Sequence, residues 1–374
     1  MPSKIYLILR SVAGRRPGHA SRRTHAAYAA ALKSLAASPA IVLALGALAA
    51  TLFIALPASA ETPERRVEVN AMEYPWSTIG RVNTGGRGHC TGFLVSERHV
   101  LTAAHCLYDP VVGRWRGAIE LHFIAGYQRD RFILHSKVAS YSRPENFTFA
   151  LQQDLEAASN DWAILTLADP IGRQAGWLGI KALDSLMMSR ITAGDALLLQ
   201  AGYRRDRAHV MTAGWACALA GIAQAGRLLM HDCDVVQGDS GSPLLLFADG
   251  RFFAIGLHTI DLVLKETTHL GGVLSLNVFH PNGGRRDASR ALAATSVRWA
   301  PGLPPGPDSA AAQVPVATID SLLARLGYLR PASGAPSVGA RSSALSRFQS
   351  ENGLASSGQP SVETMGQLLH ATTP

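Results

Sequence analysis

A chain of 374 residues with 47% hydrophobic and 17% charged positions has room for two domains and a sizeable core. Its formal charge of +8 would suit a nucleic-acid binder, but seven of its 35 Lys and Arg residues and none of its 27 acids fall in residues 1–60. The remainder carries 28 basic against 27 acidic residues and is nearly neutral, so the composition excludes a nucleic-acid partner read from net charge.

In chain order, residues 1–60 come first and read as an export signal. A basic stretch precedes an apolar run from Ala40 to Leu56, and Ala58 and Ala60 fit an A-x-A cleavage site, with Glu61 first in the mature chain. The basic stretch is unusually long, so retention as a membrane anchor is the alternative. The apolar run of about 17 residues is at the short limit for a span of about 20. Export to the periplasm or the outside implies an oxidising compartment, where Cys90, Cys106, Cys217 and Cys233 are expected in disulfides.

From residue 77 the texture is short apolar runs separated by glycine and polar turns. Gly92–Val95, His99–Leu101, Leu121–Ile124, Trp162–Leu167, Ala196–Gln200, His209–Ala213, Pro243–Phe247 and Phe252–Leu257 read as antiparallel strands. Many short strands with scattered glycine predict a closed barrel or sandwich rather than alternating strand–helix units. Residues 286–314, with Ala300-Pro301-Gly302-Leu303-Pro304-Pro305-Gly306-Pro307, read as a linker. Three short helices are expected beyond it, over Ile319–Leu326, Ala344–Gly353 and Ser361–Leu369. The first puts Ile319, Leu322, Leu323 and Leu326 on one face. Ser361 is placed to cap the third.

Three segments carry chemistry. Cutting an amide at neutral pH requires a serine hydroxyl activated by a histidine base, a buried carboxylate to fix that histidine's tautomer, and fixed amide donors for the oxyanion. Gly238-Asp239-Ser240-Gly241-Ser242-Pro243 supplies a serine between glycines, with the N–H groups of Gly238 and Ser240 as oxyanion donors. Leu101-Thr102-Ala103-Ala104-His105-Cys106 ends a strand in His105, and Asn160-Asp161-Trp162 places Asp161 directly before an apolar run. Asp154 is the nearby rival carboxylate, in a polar loop with no strand after it.

These segments resemble the signatures of the trypsin/chymotrypsin-like serine peptidases, in that family's order, over about residues 66–285. The ending Gly241-Ser242-Pro243 and the short strand Ile255-Gly256-Leu257-His258 are more similar to the bacterial glutamyl-endopeptidase branch. The resemblance implies a mainly β fold of two antiparallel six-stranded β-barrels, with His105 and Asp161 from the first and Ser240 from the second. It also implies a Cys90–Cys106 bridge, whose loop would contribute roughly 3 kcal/mol; Cys217 and Cys233 are expected as the second. In this family the aspartate at 239 can pair with a freed N-terminal amine. Arg65-Arg66 before Val67 is read either as a processing site that frees one or as an exposed charged pair. No close Cys or His pair suits a metal, and no cofactor is implied.

The specificity cues conflict. Asp234, six residues before Ser240, resembles the pocket-base aspartate that selects Arg or Lys, although it directly follows Cys233. His258 resembles the histidine that receives an acidic side chain, and Asp261 would narrow such a pocket. The C-terminal segments Leu326-Gly327-Tyr328-Leu329 and Phe348-Gln349 to Gly353-Leu354 resemble the peptidoglycan-binding domain type 1 over about residues 315–372, implying a small three-helix domain that docks on the cell wall. The expected protein is an exported, monomeric serine endopeptidase acting on protein or peptide substrates. Two alternatives stand beside it: a non-catalytic wall-binding protein on a protease scaffold, and a wall-lytic amide hydrolase.

Overall fold

The computed structural model of the chain describes residues 66–86, 88–215, 217–265, 268–279, 315–330 and 334–372. The expected export segment and linker lie outside the described residues. After a short strand β1 (Arg66–Glu68), the first half contributes β2 (Ile79–Thr84), β3 (His89–Leu94), β4 (His99–Thr102), the small hairpin β5 (Tyr108–Asp109) and β6 (Arg114–Trp115), then β7 (Leu121–Ala125), β8 (Leu134–Ser142) and β9 (Ala163–Leu167). Six of these close a barrel in the order β2-β3-β4-β9-β8-β7. Alternation explains the closure: Leu121, Phe123 and Ala125 of β7 are buried, whereas His122 and Ile124 between them are not fully so. The buried side chains meet Val82, Leu94, Val100, Val138 and Leu165 in one apolar core.

The second half contributes β10 (Gly179–Ile180), β11 (Leu197–Gly202), β12 (Thr212–Trp215), β13 (Leu219–Ala223), β14 (Leu228–His231), β15 (Pro243–Ala248), β16 (Arg251–Lys265) and β17 (Thr268–Ser275). They form a sheet of order β1-β12-β11-β15-β16-β17-β14-β13, with β10 alongside β16. The expected second closed barrel is thus an open sheet among the described residues. Its strand β16 extends eight residues past Leu257, pairing with β17 as far as Lys265↔Thr268, and β1 and β13 remain as the two ends of the path.

Three short helices punctuate the strands: α1 (Leu155–Ala158), α2 (Gly172–Ala175) and α3 (Ser185–Ala193). Asp154 is the cap of α1, accepting the N–H groups of Glu156 and Ala157, which gives it a structural use. The C-terminal segment forms α4 (Val316–Arg325), α5 (Val338–Glu351) and α6 (Val362–Ala371). Helix α5 begins six residues earlier than expected, because Ser337 caps it by accepting the Ala340 N–H. Ser361 caps α6 through the Thr364 N–H. Among the described residues no helix is long and apolar enough to cross a membrane.

These helices do not stand apart from the β body. Ile319, Leu322, Leu345, Phe348 and Leu368 share one buried cluster with Trp76, Leu199 and Phe252. Glu73 caps α4 from outside, accepting the N–H groups of Ala317 (2.7 Å) and Thr318 (2.6 Å) and the Thr318 hydroxyl (2.5 Å). Trp76 Nε1–H donates to the same hydroxyl at 3.0 Å. A carboxylate at a helix N-terminus meets orphan donors and the positive end of the helix dipole. Glu73→Ala is therefore expected to cost about 2 kcal/mol and several degrees of thermal midpoint, while leaving the β strands paired; an unchanged midpoint in differential scanning fluorimetry would show that this contact does not hold the helices.

Candidate active site

Strand pairing brings His105 and Asp161 together. β4 pairs with β9 so that Thr102 lies opposite Ala163, which places the residues just beyond each strand end side by side. His105 sits on a 3-10 turn, Ala104–Leu107, and the Cys90–Cys106 disulfide fastens that turn to β3. Asp161 is fully buried. Its Oδ1 accepts the His105 backbone N–H at 2.8 Å, and its Oδ2 lies 2.5 Å from His105 Nδ1. Both carboxylate oxygens are thus spent on one residue, and the imidazole is left with Nε2 facing away from the aspartate. Burial opposes the charged imidazolium, but the Asp161 charge and hydrogen bond offset this, so the His105 pKa lies above the ordinary histidine value.

Ser240 arrives from the second sheet on the loop between β14 and β15. Thr91 of β3 holds that loop: its N–H donates to the Ser240 carbonyl (2.9 Å) and its hydroxyl to the Gly238 carbonyl (2.9 Å). The Ser240 carbonyl also lies 3.9 Å from Cys106 Sγ, the residue after His105. Glycine is required at two places. Gly238 has φ +104° and Gly241 has φ +82°. A Cβ at 241 would collide with the Thr91 carbonyl and the Thr102 hydroxyl, so the loop presses directly on the histidine-bearing barrel. Among the described residues the N–H groups of Gly238 and Ser240 are given to no acceptor, as an oxyanion site requires. Cys90, His105 and Cys106 also converge, but both sulfurs are in the disulfide and offer no thiolate to a metal. The second bridge joins Cys217 and Cys233.

Behind Ser240 lies an ion pair that sequence reasoning missed. Asp239 is fully buried and is met by the equally buried Arg66, with Nη1–Oδ2 and Nη2–Oδ1 both at 3.1 Å. Arg66 also donates through Nε to Thr212 Oγ1 (3.0 Å) and through Nη1 to Gln200 Oε1 (2.5 Å) and the Asp234 carbonyl (2.9 Å). Burial alone raises Asp239 and lowers Arg66, and their mutual attraction opposes both shifts. The reading of Arg66 as half of an exposed charged pair is corrected here: Arg66 is buried, and its side chain, with Val67 still within β1 and paired with Ala213, is what meets Asp239. The sign that could have revealed this is a buried aspartate beside the nucleophile with no other cation close by in sequence.

Asp234 and His258 each have an acidic or basic partner within the fold. Asp234 pairs with Arg204 at 2.8 Å, and Arg204 pairs in turn with Asp206 at 2.9 Å. His258 lies against the Ser240 loop: Gly241 N–H donates to its carbonyl (2.8 Å) and its own N–H donates to the Ser242 carbonyl (2.9 Å). Its Nε2 is 3.0 Å from Asp261 Oδ1. His231, unremarked in the sequence, packs edge-on against it with ring centroids 5.9 Å apart.

A histidine oriented by a buried carboxylate, beside a serine loop with two unspent amides, at the seam of a closed six-stranded barrel and a second antiparallel sheet, defines a serine-peptidase-like site. Residues 65–273 match the trypsin family, and the chain belongs to it. It is 26% identical over 193 residues to the glutamyl endopeptidase of Bacillus licheniformis, covering 50% of this chain and 54% of that protein. A 38-residue stretch is 55% identical to serine protease 23 of Homo sapiens and of Bos taurus, covering 10% of this chain and 9% of each. A solved structure of a Glu endopeptidase in complex with MPD superposes with a TM-score of 0.48 at 18% identity, over 62% of this chain and 97% of that one. The chain spans about half the length, or less, of these curated relatives.

The buried pair gives a prediction. Arg66→Met strands the Asp239 carboxylate and is expected to destabilise the fold by about 3–5 kcal/mol in urea denaturation. Arg66→Met combined with Asp239→Asn should recover much of that loss; a double variant as unstable as the sum of the singles would show that the two charges are not coupled.

Proposed function

We propose that the chain is an exported serine endopeptidase that hydrolyses peptide bonds through Ser240, His105 and Asp161. The observation that carries the reading is the two-point grip of the buried Asp161 on His105, made on the very turn against which the Ser240 loop packs. His105 Nε2 takes the proton of the Ser240 hydroxyl as its Oγ attacks the scissile carbonyl. The carbonyl oxygen, now negative, is received by the Gly238 and Ser240 amides. His105 then gives its proton to the leaving amine, and the C–N bond breaks to leave an acyl-enzyme. Water, deprotonated by the same imidazole, releases the acid and restores the serine. Asp161 stays ionised throughout and stabilises the transient imidazolium.

Export is supported by the two disulfides and by the signal-like leader in the sequence. The wall-docking role rests on the C-terminal motif, carried by α4–α6. A Ser240→Ala protein is expected to co-sediment with purified cell walls; complete recovery in the supernatant would contradict docking. Casein turnover without loss of wall turbidity is expected for the active chain, against the wall-lytic and non-catalytic alternatives.

Ser240→Ala should abolish labelling by a serine-directed fluorophosphonate, and equal labelling of the variant would refute the nucleophile. Because His105 must be neutral to act as base and its pKa is raised, kcat/KM should fall as pH drops through a value above the ordinary histidine pKa of about 6.5. A pH–rate profile that stays flat to pH 5 would contradict the assignment of His105.

A further inference from the structure

We propose that Asp261 sets the primary specificity of this site, selecting a Lys or Arg side chain on the acyl side of the scissile bond and rejecting Glu and Asp. The inference rests on the peptidase reading above. Its starting point is that both sequence cues to specificity are already occupied within the fold. Asp234, the candidate for a cation-selecting pocket base, is held by Arg204. His258, the candidate receiver of an acidic side chain, has its Nε2 on Asp261.

The position of Asp261 follows from the strand it belongs to. β16 is stitched to the nucleophile loop on both sides of His258, through the Gly241 N–H and the Ser242 carbonyl. Three residues further on, Asp261 folds its carboxylate back onto the buried His258 ring while its own side chain stays half exposed. It therefore stands between the histidine and solvent, at the edge of the Ser240 loop. The strand opposite carries no side chain there: Asp261 is in register with Gly271, and Ile260 with Gly272. A Cβ at Gly271 would collide with the His231 ring, so the bare backbone is enforced from beneath. The proposed slot therefore has the His258 and His231 rings at its floor and Asp261 as its carboxylate, on the strand bonded to the Ser240 loop.

Asp261 brings a carboxylate charge to that slot. Burial alone would raise Asp261, but the His258 hydrogen bond and charge offset this and hold its pKa below the ordinary value. Burial, reinforced by His258, pushes His231 down to about 3, so it brings no positive charge at neutral pH. The buried Nδ1 of His258 has no hydrogen-bond partner among the described residues, and its Nε2 lies 3.0 Å from Asp261 Oδ1. The field of Asp261 reaches His105 as well, adding to the rise in its pKa. A substrate carboxylate would have to displace Asp261 from His258 and share one imidazole with it, placing two like charges side by side. An ammonium or guanidinium group meets Asp261 without displacing anything and gains a charge-assisted hydrogen bond. This differs from what the name of the Bacillus licheniformis relative says of that protein.

The test measures kcat/KM on matched peptide amides with Lys, Arg, Leu or Glu before the scissile bond, on full-length protein whose active sites are first titrated with a fluorophosphonate. The wild type is expected to cleave after Lys and Arg about 100-fold or more faster than after Glu, and Asp261→Asn to lower the Lys and Arg values at least about tenfold, mainly through KM. Asp261→Gly should raise cleavage after Glu by freeing His258. A labelled wild type that prefers Glu, or an Asp261→Asn variant with an unchanged Lys-to-Glu ratio, overturns this proposal alone. A wild type that takes no label overturns the peptidase reading and this proposal with it.

Discussion

Two fully buried carboxylates beside one serine are the constraint around which the cleft is built. Asp161 and Asp239 approach Ser240 from different sheets, and neither has solvent to stabilise its charge. An unpaired buried carboxylate costs several kcal/mol, so each must be answered by a specific donor. Asp161 is answered by the backbone and ring N–H of His105, which fixes the imidazole in a single orientation. Asp239 is answered by Arg66, which pins the residue before Ser240. The fixed orientation of the imidazole is thus a by-product of neutralising buried charge.

The seam between the halves is held by the same economy. Thr91 spends its amide and hydroxyl on the Ser240 loop, and the Cys90–Cys106 bridge clamps the histidine turn to the strand that carries Thr91. Gly241 lets the loop approach closely enough for these bonds to form. On the same body, Glu73 and Trp76 draw the C-terminal helices into the common core. The helices therefore contribute to the stability of the β body.

Much of this was legible in the sequence, for identifiable reasons. Strands could be read because burial on one face imposes a two-residue alternation, as in β7. His105, Asp161 and Ser240 stood out because each occupies a short, rigid, glycine- or strand-bounded segment. What could not be read depends on contacts far apart in the chain. Arg66 lies 173 residues from Asp239 and reads locally as half of an exposed basic pair. Strand β16 overran its expected end because its polar Asp261 and Lys265 resemble a turn until β17 is known to pair with them. The docking of α4 depends on Glu73, 245 residues from Thr318, in a stretch with no periodic signal of its own.

The central claim is that the serine delivered by the second sheet becomes a nucleophile under the histidine and carboxylate of the first. Rapid mixing with an activated nitrophenyl ester, followed by peptide mapping at low pH, tests it most directly. The account predicts a burst of about one nitrophenolate per molecule and an acyl group on the peptide containing Ser240. Steady release without a burst, together with an unmodified Ser240 peptide or an acyl group elsewhere, would contradict it.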